Sequence, residues 1–93
     1  MHIVKRYTGI AEPYNESKLY RSIYASCLAV RTPLGEAEVT AKKICQHVLD
    51  WLTNKAEVTS HDVRTRASQH LHVYNPDAAY LYLHHRITAV QQG

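Results

Sequence analysis

Apolar residues recur every three or four positions over most of this chain, and that rhythm predicts four helices. The first covers about residues 17–29, where Leu19, Ile23, Cys27 and Leu28 share a face with Tyr20 and Tyr24 nearby. Asn15 suits its N-cap, and Glu16 places an acid where the helix dipole favours one. Thr32-Pro33-Leu34-Gly35 interrupts the rhythm. A second, longer helix follows over about 36–53, with Ala37, Ala41, Ile44, Val48, Leu49 and Leu52 as its stripe and Cys45 alongside. The third starts at Thr59 or Ser60 and runs to 74, with Val63, Ala67, Leu71 and Tyr74 on the buried side. Thr59 and Asp62 have the spacing of a capping box with Asp in place of Glu. Asn75-Pro76 ends the third helix and opens a fourth, with Ala79, Tyr80, Leu83, Ile87 and Val90 as its stripe and residues 91–93 fraying.

The rhythm shortens at the start of the chain. Residues 2–6 favour a strand, Gly9 supplies a turn, and residues 11–14 read as a short return strand. Pro13 cannot donate to a ladder, which assigns that strand to an edge. Glu57-Val58-Thr59 is a candidate third strand. The expected architecture is α+β, mostly α: a four-helix cluster capped by a two- to three-stranded β-sheet from the N-terminal hairpin. Residues 1–93 form one domain, since no repeat or linker divides them. A hairpin alone is marginal in water, so it must pack on a helix.

Composition narrows the classes. At 45% hydrophobic the chain is not a disordered one, and no apolar run approaches the roughly 20 residues of a membrane helix. No signal-peptide core opens it, so the expected location is cytoplasmic and no membrane partner is expected. Cys27 and Cys45 lie far apart without a CxxC, which argues for two small core residues rather than a disulfide or zinc site. A net charge of +3 permits an anionic ligand without demanding one. Seven histidines make that charge pH-sensitive near neutrality. The seven tyrosines with no phenylalanine have no physical account beyond a ring that packs while its hydroxyl stays wet. His84 and His85 diverge by about 100° on a helix, and His70 and His72 by about 200°, so neither pair clamps a metal. Asp50, Glu57 and Asp62 form no acid–base constellation, and neither a nucleophile elbow nor a P-loop is present; the expectation is a protein that is not an enzyme.

The chemistry concentrates in residues 3–19. Lys5, Arg6 and Lys18 are cations brought near one another, with Glu12 and Asn15 between them. Lys18 sits in a first helical turn, where a cation opposes the dipole; a bound anion would compensate, as would pairing with Glu16 or simple solvation. Lys5 and Arg6 are strand neighbours and point to opposite faces, so both reach one ligand only if the strand bends at the turn or Arg6 curls round on its long stem. Arg offers a forked contact to phosphate and Lys a mobile point charge. Each charge-assisted hydrogen bond is worth about 1.5–3 kcal/mol, so three of them, less desolvation and ordering, suffice for micromolar binding. Glu12 would neutralise these cations or accept from ribose hydroxyls, and Asn15 would cap the helix with or without touching a ligand.

In order, Ile3, Lys5, Arg6, Gly9, Glu12, Tyr14, Asn15, Lys18 and Leu19 form a pattern that resembles the opening of the ATP-cone domain, the nucleotide-sensing module of ribonucleotide reductases and of their zinc-ribbon transcriptional repressor. The likeness extends to Glu-Val-Thr-Ser-His-Asp-Val before the third helix and Pro-Asp-Ala-Ala-Tyr-Leu-Tyr at the fourth, and so covers nearly the whole chain. The resemblance implies a regulatory domain that binds ATP or dATP, with Mg2+ as the ion that would accompany a triphosphate. Ile3, Lys5, Arg6, Glu12, Asn15 and Lys18 would line the site beneath a β-sheet lid. Ser60 and Arg64 are the placements for a hydroxyl and a polar residue at the third helix, with Thr59 the alternative to Ser60. The hairpin is one residue longer than the family pattern, and Arg64 stands where some relatives carry a histidine. The implied output is a change of assembly, as a homo-oligomer or with ribonucleotide reductase or a related partner. With neither a catalytic domain nor a zinc ribbon in these residues, it would act in trans, alone, or as part of a longer protein.

The rival is a small basic nucleic-acid-binding or protein-adaptor module without a nucleotide site. Arg64, Arg66, Gln69, His70 and His72 would then face a groove, although the solvent face of an amphipathic helix is the plainer use of them. The strand-like Glu57-Val58-Thr59 also separates the second and third helices too far for a helix-turn-helix.

Overall fold

A computed structural model describes residues 3–5, 11–55 and 57–92, with side chains over 13–55 and 57–84. Arg6 and the turn at Gly9 lie outside the described residues. The chain runs β1 (Ile3–Lys5), β2 (Ala11–Pro13), α1 (Glu16–Ala29), α2 (Leu34–Leu52), β3 (Glu57–Thr59), α3 (Ser60–Tyr74) and α4 (Pro76–Gln92). The protein is mostly helical, with the four helices its apolar rhythm calls for. α4 stays helical to Gln92 rather than fraying at residue 91.

Local chemistry accounts for the helix ends. α1 stops in a Schellman motif: Arg31 adopts φ 65°, its N–H donates to the Leu28 carbonyl, and the Thr32 N–H donates to the Cys27 carbonyl. Pro33 follows with φ −57° and ψ 145° and occupies the cap position of α2 without a side-chain hydrogen bond. α2 therefore begins at Leu34, two residues before the expected start, because the rigid proline needs no polar cap to enter the helix. Asn75 caps α4 by accepting from the Ala78 N–H at 3.1 Å, and its side-chain amide donates to Thr32 Oγ1 at 2.9 Å. That second bond ties the α3–α4 corner to the α1–α2 loop.

The core is one cluster. Leu19, Ile23 and Cys27 come from α1; Ala37, Ala41, Ile44, Cys45, Val48 and Leu52 from α2; Ala67 and Leu71 from α3. α4 adds Ala78, Ala79 and Tyr82, and β3 adds Val58. Each fully buried Ile, Leu or Val contributes roughly 1.5–3 kcal/mol. Both cysteines are buried and free, as small core residues. Two tyrosines depart from the expected pattern. Tyr80 is 68% exposed while Tyr82 is 3% exposed, and Tyr74 at 44% also faces out. α4 turns Ala78, Ala79 and Tyr82 to the core, so the expected stripe holds at Ala79 and fails at Tyr80, because the helix is rotated by the packing of its neighbours. Ser26 is buried on α1 and donates to the Ser22 carbonyl at 2.9 Å, which satisfies its hydroxyl within the helix.

The strands are three residues each. β1 runs antiparallel to β2, with Ile3 opposite Pro13, Val4 opposite Glu12 and Lys5 opposite Ala11. It runs parallel to β3, with Ile3 beside Glu57, Val4 beside Val58 and Lys5 beside Thr59. Of the three strands, β3 reaches the core through Val58 and lies against α3, which it enters directly. Among the described residues no helix is long and apolar enough to cross a membrane.

Candidate functional site

Two helix starts flank the first strand. β2 leads into α1, and β3 leads into α3 without a break. Because β2 and β3 lie on opposite sides of β1, the two starts are two strand spacings apart. Adding the two-residue offset along the strand, Pro13 and Thr59 are separated by about 12 Å on ideal sheet spacings. An extended nucleoside triphosphate is long enough to reach from one to the other.

At α1, Asn15 is extended (φ −115°, ψ 98°) and its Oδ1 accepts from the Lys18 N–H at 3.1 Å. The Asn15 carbonyl takes the Leu19 N–H at 3.3 Å. The cap thus consumes the Lys18 amide, leaving those of Glu16 and Ser17 as first-turn donors outside the helix ladder. The Lys18 side chain is exposed. A surface depression of about 360 Å³ lies here, lined by Pro13, Tyr14, Asn15, Glu16, Ser17 and Lys18.

Beneath it, the Tyr14 hydroxyl is buried without a hydrogen-bond partner among the described residues. Burial, with Cys45, Glu16 and Tyr82 close by, pushes its pKa well above the ordinary phenol value. Burial also raises the Cys45 thiol, to about 11, with Glu16 adding to the shift. Both groups are therefore neutral at physiological pH and add no charge beside the start of α1.

At α3, the capping box forms as its spacing indicates. Thr59 Oγ1 accepts from the Asp62 N–H at 3.0 Å, and Asp62 Oδ2 accepts from the Thr59 N–H at 3.1 Å. Those bonds hold the Asp62 carboxyl below its usual range. The box occupies Thr59 and leaves Ser60 as the neighbouring hydroxyl. Ser60 and Arg64 are both half-buried and lie four residues apart, on one face of the helix.

Seven of the eight sequence-derived site residues therefore fall into three sets. Asn15 and Lys18 meet at the start of α1, and Ser60 and Arg64 at the start of α3. Ile3, Lys5 and Glu12 sit in the strands between, placed by backbone register, with Lys5 beside Thr59. Arg6 lies outside the described residues. Glu16 and Asp62 put a carboxylate in the first turn of each helix, so the helix dipoles are already partly neutralised and the cations must carry most of any attraction for an anion. Tyr14 was the site residue least legible as chemistry, although a large residue just before a cap is a recognisable staple position. Among the described residues no group of His, Cys, Asp or Glu could hold a metal ion on its own.

A larger concavity of about 620 Å³ lies elsewhere, between the second half of α3 and the start of α4, with Gln69, His72, Tyr80 and Leu83 in its wall. It shares no residue with the two helix starts. Comparison with models of known protein families and with curated proteins gives no match for this chain.

Proposed function

We propose that this protein is a regulatory nucleotide-binding domain that takes ATP or dATP between the starts of α1 and α3 and responds by changing its own assembly or that of a partner such as a ribonucleotide reductase. The observation that carries the reading is the order of Ile3, Lys5, Arg6, Gly9, Glu12, Asn15 and Lys18, joined to a register that sets Lys5 beside the cap of α3. In this reading Lys5, Arg6 and Lys18 hold the triphosphate, with Mg2+ arriving on the phosphates. Glu12 and Asn15 meet the ribose side, and Ser60 and Arg64 reach from α3. The three short strands act as a lid over the helix cluster. ATP is a ligand here and not a substrate, and the setting is cytoplasmic. Two nucleotides that differ only at the 2′ position would stabilise different lid or helix packings and so different oligomers.

The nucleic-acid reading is weaker, since Arg66 lies over the Trp51 ring and His70 stacks on His47 within the chain. Thermal melting with ATP or dATP separates the two. At about 100 times Kd, binding adds about 2.7 kcal/mol, a rise of at least about 10 °C for a domain of this size. Lys18→Ala and Lys5→Ala should each remove most of that rise, and sedimentation should show a nucleotide-dependent change of size. No rise with either nucleotide, together with salt-sensitive DNA binding, would overturn the proposal.

A further inference from the structure

The edge of the α2–α3 seam is closed by rings and cations. His47 on α2 and His70 on α3 stack with centroids 4.5 Å apart and planes 5° from parallel. His47 Nε2 lies 3.2 Å from the Tyr74 hydroxyl. Lys43 Nζ sits 5.3 Å over the Tyr74 ring, and Arg66 and Lys55 sit 5.1 and 5.6 Å over Trp51. Both histidines are half-buried. Arg66 from α3 acts on His70, and Lys43 from α2 lies over the Tyr74 ring whose hydroxyl meets His47. The nearby acid, Asp50, is one turn from His47 and accepts from Gln46 Nε2 at 2.9 Å. Neither α1 nor α4 contributes to the charges acting on His70, which are His47 and Arg66.

We propose that the His47–His70 stack is a proton-operated latch on the α2–α3 seam, closed while the pair carries at most one proton and released when both imidazoles are charged. Neutral His47 accepts from the Tyr74 O–H through Nε2. With both rings protonated, two like charges lie ring to ring, and the Arg66 charge adds to the repulsion at His70. Parallel rings also direct their lone pairs side by side rather than toward a common point, so the pair does not read as a metal clamp.

Burial, followed by His47 and Arg66, holds His70 below the ordinary histidine value. The unfolded chain therefore binds more protons than the fold as pH drops below about 6.5, and the stability that the neutral pair contributes is complete above that pH and lost below it.

Thermal melting of the whole chain at about pH 7.5 and about pH 5.5, with imidazole NMR titration, tests the latch. The native protein should melt about 5 °C or more lower at the acid pH. His70→Gln and His47→Gln should each lose most of that difference, and His72→Gln, on the exposed face, should keep it. In the native protein the two stacked imidazoles should titrate in separate steps, one of them below the ordinary histidine range. Undiminished pH dependence in both glutamine variants would overturn the proposal. So would independent titration of both rings at the ordinary value, a readout that stands even if a variant fails to fold.

Discussion

α2 is held along two edges by different chemistry. Against α1 it meets hydrocarbon: Leu19, Ile23 and Cys27 are buried on α1, and the buried hydroxyl of Ser26 is satisfied within its own helix. Along the outer edge toward α3 the contacts are His47 on His70, Arg66 on Trp51 and Lys43 on Tyr74. The first kind of contact has no charge to screen and no group that titrates near neutrality, and its strength scales with buried apolar area. The second depends on protonation, and its charged members are weakened by salt. One helix therefore has a fixed side and an adjustable side, and the adjustable side holds the helix whose start carries Ser60 and Arg64.

The comparison can be broken most directly at Ile23. Ile23→Ala should cost about 2–5 kcal/mol in a urea melt, by the same amount at pH 7.5 and 5.5, because a cavity in hydrocarbon has no titratable group. A cost that changed with pH would erase the distinction. Arg31→Gly acts on the same fixed side in the opposite sense. The residue holds a left-handed φ of 65° in the Schellman motif, and glycine adopts it without a Cβ clash, so a gain of about 1 kcal/mol is expected from chemical denaturation. The smallest effect belongs to the adjustable edge. Arg66→Ala should lose about 0.5–1 kcal/mol, and the loss should shrink as salt is added. An unchanged loss in high salt would mean that Arg66 contributes its alkyl stem rather than its charge.

Much of the helical framework was legible because its signals are local. Asn15, the Thr59–Asp62 pair and Asn75 each cap a helix through a hydrogen bond to a residue three positions on. Such bonds are within reach of any sequence reader. The apolar rhythm places Tyr80 in the buried stripe of the fourth helix and not Tyr82, and the structure reverses the two. Which of them turns inward depends on where α3 and α1 press on α4. For the site, the grouping of Asn15 with Lys18 and of Ser60 with Arg64 follows from helical spacing. The neighbourhood of Lys5 and Thr59 does not, because it comes from a parallel pairing between segments far apart in sequence.

What the amino-acid order determined by itself is the set of helices, the caps that start α1, α3 and α4, and the concentration of cations in the first eighteen residues. These follow from propensity, periodicity and side-chain hydrogen bonds that close within one helical turn. Only the tertiary structure decided that β1 lies between β2 and β3, that Tyr82 is core and Tyr80 surface, and that His47 meets His70 face to face. Those outcomes depend on how whole faces dock, and docking minimises a sum over many distant contacts that no short stretch of sequence contains.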